Sequence, residues 1–102
     1  MASGKNYLAY ILEQLSGLDD IRYRPMMGEY LLYYQGKLVG GIYDDRLLVK
    51  PTPSAKALLP EAPLALPYEG AKEMLLVEET DDRELLAALV TAVAADLSAP
   101  KR

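Results

Sequence analysis

Arg22, Arg24, Glu29 and Lys72 are the charged residues of this 102-residue chain whose types and spacing could serve chemistry. In an extended segment, residues two apart project from the same face, so Arg22 and Arg24 would present two guanidinium groups side by side. Such a pair suits an anion or an acidic partner. With Glu29 and Lys72 added, the group could form a small anionic-ligand site or an enzyme centre, provided all four converge on one concave pocket. Without convergence, the arginines are a solvated strand face. Glu29 then simply follows a glycine at the start of a strand, or becomes a buried partner for Arg24 or Lys72. Lys72 also ends the run Tyr68-Glu69-Gly70-Ala71-Lys72. That run reads as a glycine turn entering a strand, or as a loop holding a ligand with Lys72 as its charge.

Other chemistry lacks its residues. The chain has no histidine and no cysteine. The usual neutral-pH proton shuttle, the commonest metal ligand, the thiolate nucleophile and the disulfide are all missing. Asp44-Asp45 and Asp81-Asp82 are paired acids, but a hard-metal site needs about six oxygens from a converging loop. They fit a turn and a helix cap better. No cofactor, metal or catalytic residue is expected. Fifteen acids against eleven bases leave a formal charge of −4, with the bases scattered singly. Direct DNA binding, which relies on clustered cations, is not expected. No apolar run resembles a signal peptide or a membrane span, so a cytoplasmic protein with no membrane partner is expected.

These residues need elements to position them. Met26–Lys50 reads as an antiparallel meander with tight turns at Gln35-Gly36 and Asp44-Asp45. Ile21–Met27 precedes it as a strand, with Pro25 arguing for a sheet edge or a bulge. Glu29–Gln35 is apolar on both faces, which argues for a central strand or one with its second face covered. Gly40-Gly41 in the third strand, Leu38–Tyr43, suggests a bulge or a close backbone approach. Arg46–Lys50 is the fourth strand; if it lay near the first, Arg46 and Lys50 would extend the basic patch. Glu73–Glu78 is the fifth.

Helices flank the sheet. Asn6 caps one running to about Ser16, with Leu8, Ile11, Leu12 and Leu15 as its buried stripe and Gly17 as a left-handed stop. Asp81 or Thr80 caps the last, with Glu84 in a capping box, Leu86, Leu89, Val90, Val93 and Leu97 buried, and Pro100 as the end. Between the sheet halves, Pro51–Pro67 is proline-rich. Ser54–Leu59 can form one or two helical turns there, and Leu64 and Leu66 could dip into the core. The fold class is therefore α+β: a two-layer, five-stranded, mainly antiparallel sheet with N- and C-terminal helices on one face. Residues 6–98 form one domain, with residues 1–5 and 99–102 as flexible ends.

Two helices cover only one side of such a sheet. The other side carries either Tyr30, Leu32 and Tyr34 or the opposite set, Leu31 and Tyr33. Tyrosines there suit a protein partner. A homodimer through that face, or through the edge near Pro25, would cover it. Arg22, Arg24, Glu29, Tyr30, Leu32, Tyr34 and Lys72 are the candidate interaction surface.

The order of motifs carries a resemblance. A first helix ends in Leu15-Ser16-Gly17-Leu18. Arg22-x-Arg24-x-Met26-x-Gly28-Glu29-Tyr30, Leu32-Tyr33 and Gly36-Lys37 follow. Then come Asp44-Asp45-Arg46-Leu47, Lys50-Pro51-Thr52, Pro67-Tyr68-x-Gly70-Ala71-Lys72 and Asp81-Asp82-Arg83. This pattern, over residues 6–100, resembles the N-terminal domain of the TfoX/Sxy family, bacterial proteins linked to the regulation of natural competence. Met27 departs from it, because an aromatic residue is usual just before the glycine. The resemblance implies a secretion-chaperone-like α+β fold, here as a stand-alone domain. It implies a regulatory or protein-interaction role, linked to competence or transcription regulation, and offers no catalytic residue.

Overall fold

Three two-residue turns fold the middle of the chain back on itself. Met27-Gly28, Gln35-Gly36 and Asp44-Asp45 each place both residues at positive φ, between 52° and 88°. That pairing is the signature of type I′ turns, whose twist matches that of antiparallel strands. They join β1 (Ile21–Met26), β2 (Glu29–Tyr34), β3 (Lys37–Ile42) and β4 (Leu47–Val49) into an antiparallel meander. The structure, a computed structural model, describes residues 4–98. Pro100 and most of the expected flexible ends lie outside these residues.

The sheet has six strands rather than the expected five, in the order β1-β2-β3-β4-β6-β5. The added strand is β5 (Leu64–Ala65), which pairs antiparallel with β6 (Met74–Val77). Every neighbouring pair is antiparallel. Pro25 lies on edge strand β1 opposite Tyr30, where its missing N–H costs no ladder bond.

α1 (Lys5–Gln14) and α3 (Arg83–Ser98) join one buried cluster with a single face of the sheet. Leu8, Ile11 and Leu15 come from the first helix; Leu86, Leu89, Val90 and Val93 come from the last. Leu32, Tyr34, Val39, Ile42, Leu47, Val49, Leu75 and Val77 come from the sheet. The short α2 (Pro53–Leu58) inserts Ala55, and Leu59 follows it inward. Leu64 and Leu66 do not dip into the core; they are 48% and 46% exposed.

The caps differ in detail from expectation. α1 starts earlier, with Gly4 rather than Asn6 at its N-cap and no side-chain cap. It closes at Leu15, and Gly17 is not among the left-handed glycines. The Leu85 N–H donates to Asp82 Oδ1 at 3.1 Å, so Asp82, not Asp81 or Thr80, caps α3. Thr80 instead ties the helices' ends together, its carbonyl accepting from Gln14 Nε2 at 2.9 Å. Thr52 caps α2, accepting from the Ala55 N–H at 3.3 Å.

Gly40 and Gly41 meet the close approach their pairing suggests. A Cβ on Gly41 would lie 2.7 Å from both the Tyr30 carbonyl oxygen and the Tyr43 ring. The missing side chain thus leaves room for the Tyr43 ring beside its own strand. A register shift between Leu32 and Tyr33 leaves Val39 as the extra residue of a bulge beside the glycine pair.

Candidate functional site

Strand alternation sorts the sheet residues by face. Tyr30, Leu32 and Tyr34 share the helix side with Ile42, Leu47 and Val77. Leu32 and Tyr34 are accordingly buried, at 2% and 8% exposure, and Tyr30 is packed against the core. They belong to the interior, because that is the face the helices cover. Of the two sets left open by the sequence, Leu31 and Tyr33 occupy the second face, half-buried.

That second face is divided. On its β3–β6 half, Leu48 and Tyr43 are buried outside the main core cluster. The chain's own proline-rich connection provides the cover. Pro67 is buried there, and the Tyr68 ring lies 6.1 Å from that of Tyr43. Arg46 clamps the connection down, donating from Nη2 to the Leu66 carbonyl at 3.0 Å and from Nε to the Tyr43 carbonyl at 3.1 Å. Arg46 therefore does not extend a patch with Arg22 and Arg24, which lie three strands away in the sheet order.

The β1–β2 half of the face stays open. Arg22 to Pro25 are all exposed. Arg22 and Arg24 project from this face opposite Tyr33 and Leu31. With Ile21, Tyr23, Tyr33 and Gly36 they line a shallow hollow of about 610 Å³. Arg22 Nε donates to Asp20 Oδ1 at 3.1 Å, an exposed pair worth roughly 0–1 kcal/mol. The Arg24 side chain has no ion pair or hydrogen bond among the described residues. On the helix side, Tyr23 stands 45% exposed and meets Tyr30 edge-on, with centroids 5.9 Å apart. Strand β1 is therefore a sheet edge exposed on both faces from Arg22 to Pro25, with Ile21 alone packed against the core.

The four charged residues singled out by type do not line one cavity. Glu29 accepts from the Asp44 N–H at 3.1 Å, and Asp45 Oδ1 accepts from the Gly4 N–H at 2.8 Å. Glu29 and the aspartate pair thus brace a turn and a helix start. Lys72 sits far along the sheet in a second hollow of about 270 Å³, between Tyr43 and Tyr68. Lys50 lines the same hollow, a pairing hidden from sequence because it depends on the β4–β6 register and the fold-back of the connection. The tyrosine tendency is visible in Tyr43, whose phenol is pushed above its ordinary value by burial, with Tyr68, Glu29 and Tyr33 adding to the effect.

Residues 13–95 match the family described as the TfoX N-terminal domain. The chain belongs to that family. The TfoX N-terminal match begins within α1 and ends within α3, so it takes in the whole sheet. The chain is also similar to a Spirochaeta aurantia protein described as an uncharacterized 12.7 kDa protein in the trpE 5′ region. They are 32% identical over 102 residues, covering 99% of this chain and 89% of that protein. No solved structure matches the chain. None of the described helices of this TfoX N-terminal domain is long and apolar enough to cross a membrane.

Proposed function

We propose that this chain is a noncatalytic regulatory domain that works by binding another protein through strand β1 and the open half of the second sheet face. The observation that carries the reading is the bare edge itself. Arg22 and Arg24 lie beside Tyr33 of β2 on an edge strand whose residues Arg22 to Pro25 are all exposed. Arginine and tyrosine are the residue types enriched at protein interfaces. An unpaired strand edge can accept a partner's strand, although Pro25 confines such pairing to the Ile21–Arg24 end. Membership of the TfoX N-terminal family supports a regulatory role, in the cytoplasm and in the control of competence or transcription. The net charge of −4 favours a protein partner over direct binding of duplex DNA. The partner is an acidic protein segment or a second copy of this chain. A site built from Arg22, Arg24, Glu29 and Lys72 together is not favoured, since these residues serve separate places.

The test compares the wild-type chain with the double variant Arg22→Glu/Arg24→Glu. Both positions are exposed, so the variant should fold. Light-scattering mass and in-cell cross-linking are expected to show an association that the variant loses and that weakens as salt rises. A wild-type protein that is strictly monomeric, with the same cross-linked species as the variant, would overturn the proposal.

A further inference from the structure

We infer that the hollow between Tyr43 and Tyr68 is a binding site for a small organic anion, one with a flat apolar body and a single carboxylate-like group. The hollow lies away from β1, on the half of the second face that the connection covers. Leu38, Tyr43 and Met74 furnish its floor from the sheet, and Pro67, Tyr68 and Ala71 furnish its wall from the connection. Its lining is therefore mostly apolar, as small-ligand sites are. Its volume of about 270 Å³ falls just under the roughly 300 Å³ at which ligand pockets begin, so its occupant is small.

The site is built before any ligand arrives. The Ala71 N–H donates to the Tyr68 carbonyl at 3.1 Å, closing a turn in which Gly70 takes a φ of 89°. Arg46 holds the Leu66 carbonyl just ahead of it. These bonds fix the position of Tyr68, although its side chain is 56% exposed. The two tyrosine rings stand at 53° to each other, forming an angled aromatic wall suited to a planar group.

Charge selects the class of occupant. Lys50 and Lys72 both line the hollow, and neither side chain has an ion pair or hydrogen bond among the described residues. Glu73 also reaches it, leaving one net positive charge. A metal cation would face two ammonium groups and an apolar floor. A bare phosphate would meet the two lysines but leave the apolar floor and the tyrosine ring faces unused, whereas an aryl or alkenyl carboxylate engages both the lysines and the rings. This inference is independent of the partner surface at β1.

Titration of the ¹⁵N-labelled protein with trans-cinnamate, followed by amide chemical shifts, tests it. Saturable shifts are expected in residues 38–43 and 67–74, with none centred on β1. The neutral cinnamamide and the variant Lys50→Gln/Lys72→Gln should each lower affinity by about fivefold, the upper end for one exposed ion pair. Lys50→Arg/Lys72→Arg should retain binding, and Arg22→Glu/Arg24→Glu should bind like wild type. Inorganic phosphate should produce no saturable shift. Non-saturating shifts with cinnamate at millimolar concentration would overturn the proposal. So would equal affinity in the glutamine variant, or phosphate binding as tightly as cinnamate.

Discussion

A methyl group placed on Gly40 would overlap the Leu48 carbonyl oxygen and lie 2.8 Å from Val49 Cα. Both obstacles are backbone of the neighbouring strand, which cannot turn aside as a side chain can. Gly40→Ala is therefore expected to destabilise the fold by about 3 kcal/mol, the upper part of the usual overpacking range. Gly17 provides the contrast, since nothing lies within 4 Å of a Cβ there. Gly17→Ala should stay within about 0.5 kcal/mol of wild type. Urea midpoints of the two variants check both statements, and equal midpoints would show that β4 does not press on Gly40. The double glycine was legible as a place of close approach. Which strand did the approaching was not, because nothing local to residues 38–43 names the partner backbone.

At the scale of elements, α2 is too short to persist without its tether to α3. Asp96 Oδ2 accepts from the Ser54 N–H at 2.8 Å and Oδ1 accepts from the Ser54 hydroxyl at 2.9 Å. The Ser54 backbone N–H, with the Thr52 and Ser54 hydroxyls, holds the Asp96 carboxyl below its ordinary value of 3.8. A carboxylate whose pKa is lower folded than unfolded adds stability that is fully present above the unfolded value. That contribution is lost as pH falls through the folded value. Asp96→Asn should therefore lower the denaturation midpoint at pH 6, with the deficit shrinking as pH is taken below 3.8. A deficit of the same size at pH 6 and in strong acid would show that the charge of Asp96 is not what joins the helices.

Other elements show what sequence can and cannot place. The hairpin turns at Gln35-Gly36 and Asp44-Asp45 were legible because glycine and aspartate tolerate positive φ. Met27-Gly28 makes the same turn but reads only as a break, since methionine gives no such signal. β5 was illegible because two residues among prolines carry no periodicity. The cap of α3 shifted by one residue because Asp81 and Asp82 are equally good caps.

Across the whole molecule, the unequal cover of the sheet is the main organising fact. Helices close one face, and a folded-back connection closes half of the other. What remains bare is the β1 edge. Sequence reasoning correctly required a second face in need of cover, from the doubly apolar β2. It supplied the cover from a second molecule, because a proline-rich stretch with exposed leucines gives no sign that Pro67 and Tyr68 turn back onto the sheet. The candidate arginines were legible for the same reason that they remain available: they alternate on a short strand with Pro25 beside them. Lys50 and Tyr43 were not legible as partners of Lys72, since only long-range strand pairing brings them together.

The turns also set an order of assembly. Strands β1 to β4 pair through connections of two to four residues, so each contact closes after a short search along the chain. β6 reaches β4 only through pairs such as Leu47 with Val77, across the entire connection. Closing that longer loop costs more chain entropy before any contact offsets it. The meander should thus form in the rate-limiting step of folding, and β6 should dock afterwards. In stopped-flow chevrons, Leu32→Ala is expected to slow refolding, whereas Val77→Ala should chiefly hasten unfolding. The reverse assignment would mean that the nucleus forms across the connection. With the expected order, a nascent chain would display its bare β1 edge and paired arginines before its sheet is complete.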